Sequence, residues 1–93
     1  MKIINVALQV DPAKQADYEA FINELVVNSA KEPGNLSYGH FKKLNCTAEY
    51  EIIEHWKDAA AVEEHNATPH FQKFLAHVND YLIHEPEIIR MTV

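Results

Sequence analysis

Two glycines are too few for a phosphate-cradling loop or a dinucleotide-binding fingerprint, and neither motif is present. A single cysteine, Cys46, excludes an intrachain disulfide and fits a reducing compartment. Cys46 sits in a polar turn with no base beside it in sequence, and no GxSxG segment occurs, so nucleophilic catalysis finds little support. Basic residues are scarce and scattered: 8 Lys and Arg stand against 14 Asp and Glu, the net charge is −6, and Lys42-Lys43 is the only adjacent pair. Nucleic acids and anionic membranes are bound by clustered Lys and Arg, so neither is expected as a partner. No run approaches the roughly 18 apolar residues of a membrane span. The opening Met1-Lys2-Ile3-Ile4-Asn5 reads as a strand, without the apolar run and small-residue cleavage site of a secretory leader. The expected location is the cytoplasm. HExxH, CxxC and facial-triad spacings are missing too, so the six histidines are not expected to form a metal site. His65 and His70 are separated by a helix break, and His70 and His77 are seven apart.

What is present is the material of one small domain over residues 1–93, 47% hydrophobic and 24% charged. A chain of this length buries roughly 60–65% of its unfolded surface, so a monomer would be marginal. Ile4, Val6, Leu8 and Val10 alternate as in a strand. Asp11-Pro12 then caps a helix expected over 12–31, with Tyr18, Phe21, Ile22, Leu25 and Val26 on its apolar stripe, and Pro33-Gly34 stops it. Leu36 to Leu44 is a second strand with Leu36, Tyr38 and His40 on one face. Gly39 in its middle marks a bulge or a close approach of ligand or backbone. Tyr50, Ile52, Glu54 and Trp56 share a face of a third strand, hairpinned to the second. Asp58 caps a short helix, Thr68-Pro69 starts another, His84-Glu85-Pro86 ends it, and Ile88 to Val93 is a last strand. The order β-α-β-β-α-β, with the second helix broken, predicts a ferredoxin-like α+β fold: an antiparallel sheet with helices on one face. The first strand is apolar on both faces, and Ile88 stands beside Ile89, so a second subunit is expected over the other face, giving a homodimeric α+β barrel.

The candidate chemistry lies between Trp56-Lys57-Asp58 and His65-Asn66-Ala67-Thr68-Pro69-His70-Phe71. His65 follows Ala61 by four residues and Val62 by three, so it shares their inward face. Such a histidine is either a pocket base or donor, since it titrates near neutrality, or a core-edge residue bonded to a backbone carbonyl. His70, second in its helix, either orients a substrate anion or satisfies local backbone groups. Trp56 is either core or pocket wall. Glu54, a carboxylate on an apolar strand face, needs a partner, which His40 or Tyr38 could supply. Asn5 can project to either sheet face, binding substrate or pinning strand pairing.

Glu32-Pro33-Gly34-Asn35-Leu36-Ser37-Tyr38, then Tyr50 to Trp56-Lys57-Asp58, then Ala61, His65 and Thr68-Pro69-His70-Phe71 resemble the antibiotic biosynthesis monooxygenase domain family over nearly the whole chain. The resemblance implies a dimeric α+β barrel with a pocket in each subunit between sheet and helices. It also implies a small quinol-monooxygenase-like enzyme acting with O2 on an electron-rich phenol, hydroquinone or anthrone, without metal, flavin or other cofactor. In that setting His65 is the base or donor, Asn5, Tyr38 and His40 orient oxygens, and Phe21, Trp56, Phe71 and Leu75 form the apolar wall. A haem-degrading branch has a tryptophan where this chain has His65 and a haem-ligating histidine where it has Leu75; both departures speak against haem. Another branch resembles Gly34-Asn35-Leu36 and the stretch from Ala61-Val62 to His70, and isomerises a phosphorylated dione. Its phosphate wants basic residues, and none is evident at the pocket from sequence. The remaining alternative is a non-catalytic small-molecule-binding or stress-response module.

Overall fold

A computed structural model describes all residues, 1–93. Strand β1 (Lys2–Gln9) is followed by a single 3-10 turn at Pro12–Lys14, helix α1 (Gln15–Ala30), strands β2 (Asn35–Lys42) and β3 (Glu49–Trp56), helices α2 (Ala59–Asn66) and α3 (Pro69–His77), a 3-10 turn at Val78–Tyr81, and strand β4 (Glu87–Thr92). The strands form one antiparallel sheet in the order β2-β3-β1-β4. The ferredoxin-like arrangement expected from the element order is the one observed, with the second helix split into α2 and α3.

Local chemistry explains the boundaries. Asp11 accepts the amide of Ala13 at 3.0 Å, and Pro12 follows it, so the chain enters a tight 3-10 turn before α1 begins at Gln15, three residues later than the cap alone suggests. Tyr18, Ile22, Leu25 and Ser29, three or four residues apart, are the buried stripe of α1. Ile4, Val6 and Leu8 of β1, Val10 just beyond it, and Tyr50, Ile52 and Trp56 of β3 form one buried core with Tyr18, Ile22 and Leu25 of that stripe, and Glu54 of β3 is buried as well. The break between α2 and α3 is pinned by Thr68, whose hydroxyl donates to the His65 carbonyl at 2.7 Å and accepts the Phe71 amide at 3.3 Å. One side chain thus caps the start of α3 and satisfies a carbonyl at the end of α2.

One expectation for β2 needs correction, and another is decided between its alternatives. The irregularity lies between Asn35 and Ser37, not at Gly39. Leu36 is the extra residue of this bulge and is 59% exposed, so it leaves the face it was expected to share with Tyr38 and His40. Gly39 serves a close approach instead: a Cβ there would lie 2.6 Å from the Phe41 ring, which covers it.

Register places four residues in one row across the helix-facing side of the sheet. Tyr38 of β2 opposes Glu54 of β3, Glu54 opposes Ile4 of β1, and Ile4 opposes Arg90 of β4. The next row outward runs Trp56, Lys2, Thr92. The other side of the sheet carries Ile3, Asn5, Phe41, Ile53, Ile89 and Met91 with no element over them, and Phe41, Ile89 and Met91 are exposed.

Candidate active site

The Tyr38–Glu54–Ile4–Arg90 row is the floor of a cavity of about 50 Å³, and His65, Phe71 and Leu75 are part of its roof. His65 is 1% exposed. Its Nδ1 lies 2.6 Å from Glu32 Oε2, and His70 Nε2 lies 2.9 Å from the same oxygen. A carboxylate can only accept, so both imidazole nitrogens carry the hydrogen and donate it to Glu32. For the neutral ring this fixes the tautomer: with Nδ1 protonated, Nε2 keeps its lone pair. That Nε2 is buried, has no hydrogen-bond partner, and stands 4.0 Å from Glu54 Oε1. Beneath it the Trp56 ring packs 4.5 Å from the imidazole centroid, and the indole N–H donates to Glu54 Oε1 at 2.9 Å. Phe71 closes the other side at 4.8 Å.

Burial dominates the proton affinities here. It lowers the His65 pKa below the ordinary 6.5, although the hydrogen bond and charge of Glu32 pull the other way and His70 lowers it further. The ring is therefore held neutral at pH 7, with a free Nε2. Burial likewise pushes Glu54 up to about 7, against the indole hydrogen bond, with the Glu32 charge adding to the rise and Arg90 opposing it. Tyr38 is raised far above the ordinary phenol, first by burial and then by the charge of Glu54, so it is a neutral donor. A buried imidazole with an unpartnered nitrogen, a carboxyl titrating near neutrality and a neutral phenol line one small cavity, which suits proton transfer to and from a bound molecule.

Comparison with known proteins gives this geometry a family. Residues 1–77 match the family model described as antibiotic biosynthesis monooxygenase. The chain belongs to the antibiotic biosynthesis monooxygenase family. A curated relative from Bacillus subtilis (strain 168), named "Putative monooxygenase YcnE", is 32% identical over 90 residues, covering 97% of this chain and 95% of its own. A crystal structure of an antibiotic biosynthesis monooxygenase superposes with a TM-score of 0.92 at 25% identity, covering 100% of this chain and 98% of the other. PA3566 from Pseudomonas aeruginosa superposes at 0.88 with 26% identity, over 99% and 92% of the two chains.

Within this antibiotic biosynthesis monooxygenase domain, the residues singled out from sequence separate into two groups. Tyr38, Glu54, His65, Phe71 and Leu75 line one cavity. Trp56 lies directly behind His65, and His70 joins it through Glu32. Three others are elsewhere. His40 shares a face with Tyr38 but sits one row further from His65, where its Nε2 meets the Tyr18 hydroxyl at 2.8 Å and its ring stacks on Tyr50. Phe21 stacks on Tyr81 at 4.8 Å and does not line the cavity. Asn5 opposes Ile53 and Ile89 on the uncovered side of the sheet. Glu54 also finds a partner other than the expected His40 or Tyr38: the indole two residues along its own strand.

Glu32 and Arg90 are the residues that sequence reasoning missed. Glu32 is 33 positions from His65, and its sign was its place at the head of the Glu32-Pro33-Gly34 segment. Arg90 is the only arginine in an acidic chain, in period-two register with inward-facing Ile88. It supplies the basic residue that the sequence did not reveal at the pocket. The helix break, read as separating His65 from His70, brings them together: with Glu32 they offer three ligand atoms within 4.8 Å of one another. A metal ion there would have to displace the two hydrogens that the imidazoles donate to Glu32.

Proposed function

We propose that this protein is a monooxygenase that oxidises a small electron-rich aromatic, of the quinol, phenol or anthrone type, with O2, as a cytoplasmic homodimer whose subunits meet through the uncovered side of the sheet. The observation that carries the reading is the buried, unpartnered Nε2 of His65, left free by the Glu32 hydrogen bond in a residue that lines a mostly apolar cavity. In this reading Nε2 takes the substrate proton, and Glu32 stabilises the imidazolium that forms. The carbanion or phenolate passes one electron to O2, the radicals combine, and the peroxide loses water. For a methylene substrate the sum is CH2 + O2 → C=O + H2O, with the substrate as the reductant. Tyr38 orients the substrate oxygen as a neutral donor, and Phe71 and Leu75 exclude water.

The test is oxygen uptake with a panel of hydroquinones and anthrones. Uptake by the wild type and a fall of at least about 100-fold in kcat for His65→Ala is the expected result for loss of a general base. Equal turnover in both would remove His65 from that role. An isomerase acting by proton shuttling is the second reading, favoured by the 4.0 Å approach of Glu54 to Nε2 and by Arg90 beside them. Absence of uptake with every substrate would turn the assignment toward it.

A further inference from the structure

The His65 cavity is too small to hold an aromatic ring by itself. Apolar cavities that take up benzene measure about 150 Å³, against about 50 Å³ here. A substrate that reaches Nε2 must therefore extend beyond it. The adjoining space is a cleft of about 290 Å³ over the ends of β1 and β4, and it shares Ile4, Val62 and Arg90 with the cavity. Two cations face this cleft, Lys2 and Arg90, with Glu63 the only carboxylate among its lining residues. The Lys2 ammonium donates to the Thr92 hydroxyl at 2.8 Å, which leaves its charge uncompensated. Arg90 makes no side-chain hydrogen bond and no ion pair, although the chain has a net charge of −6 and carboxylates in excess. Its place in the register is fixed by Ile4, and it lines both the cavity and the cleft.

From this juxtaposition we infer that the substrate carries an oxyanion group, a carboxylate or a phosphate, seated on Arg90 with Lys2 beside it, while its ring enters toward His65. The inference rests on the reading of the His65 cavity as the substrate site and adds the substrate class. A guanidinium offers paired donors that match the two oxygens of such a group, and it is a stronger determinant than a lone ammonium. Arg90 is then a specificity residue for which molecule is held, while proton removal stays with His65.

The test is anaerobic calorimetric titration of the wild type, Arg90→Gln, Lys2→Gln and Lys73→Gln with hydroquinone, 2,5-dihydroxybenzoate and 4-hydroxyphenyl phosphate. Arg90 is exposed, so its replacement leaves the core intact. Lys73 pairs with Glu24 away from the cleft and is the control. At least one of the two anionic compounds should bind the wild type about tenfold or more tightly than hydroquinone, as expected of a charge-assisted pair. That advantage should vanish in Arg90→Gln, diminish in Lys2→Gln and persist in Lys73→Gln. Which anion gains more tells carboxylate from phosphate. Equal binding of all three compounds, or an advantage that survives Arg90→Gln, would overturn the inference, and oxygen uptake with neutral hydroquinone would then leave the monooxygenase reading standing. Anion-selective binding lost in Arg90→Gln, with no oxygen uptake by any compound, would keep the inference and remove the monooxygenase. Binding of none would overturn the inference, and oxygen uptake with an anthrone would still leave the monooxygenase reading standing.

Discussion

At the scale of single residues, the unusual group is Glu54. It is 5% exposed, and its carboxyl sits under His65 with one indole N–H as its hydrogen-bond donor. Its folded pKa, about 7, lies above the ordinary 4.5 because burial penalises the charge. The stability associated with it is fully present below pH 4.5 and is lost as the pH rises through 7. Glu54→Gln keeps an acceptor for Trp56 and removes the ionisation. In urea denaturation it should exceed wild type by about 3 kcal/mol at about pH 8.5, with the gap closing toward pH 4.5. A gap independent of pH would mean that the carboxyl is not held against ionisation by its surroundings. His65 runs in the opposite sense: its lowered pKa withdraws stability as the pH falls below 6.5.

At the scale of elements, the site depends on how closely the turn before β2 approaches α2. Glu32 must reach His65 across that contact. Gly34 makes it feasible: a Cβ there would lie 2.3 Å from the Ala61 Cβ, and the Gly34 carbonyl accepts the Lys57 amide at 2.9 Å, tying the turn to the end of β3. Gly34→Ala should cost about 1–3 kcal/mol through overpacking and lower turnover by shifting α2 away from Glu32. Gly34→Ala with Ala61→Gly should recover turnover while staying less stable, because glycine inside a helix costs about 1 kcal/mol. Thermal denaturation alongside a rate assay checks both. The strand faces, the Asp58 and Thr68 caps and the helix break were legible in the sequence because each rests on periodicity or a cap. What period two does not carry is position along a face. Tyr38 and His40 point the same way, yet only Tyr38 lies in the row under His65. The Glu32–His65 contact was hidden for another reason: it is made by packing between a turn and a helix far apart in sequence.

At the scale of the molecule, the sheet has one covered side and one bare one. The bare side holds Phe41, Ile89 and Met91 exposed, and between them the Asn5 side-chain oxygen is buried with no partner in its own chain. A second copy placed there would remove apolar surface from water and could bring that oxygen a donor. Sedimentation at micromolar concentration should give twice the 10.7 kDa chain mass, and Ile89→Lys should give the single chain. A wild-type monomer would contradict the proposed homodimer without touching the His65 site, since Asn5 and Ile89 lie across the sheet from it.

The functional reading turns on one proton: whether it sits on Nδ1 of His65, held by Glu32, so that Nε2 is free to act as a base. Long-range 1H–15N correlation of the His65 ring at neutral pH reads this directly. Nδ1 should show the shift of a protonated nitrogen and Nε2 that of an unprotonated one, with the pattern lost or mixed in Glu32→Gln. A ring protonated at Nε2, or doubly protonated at pH 7, would contradict the assignment of His65 as the base.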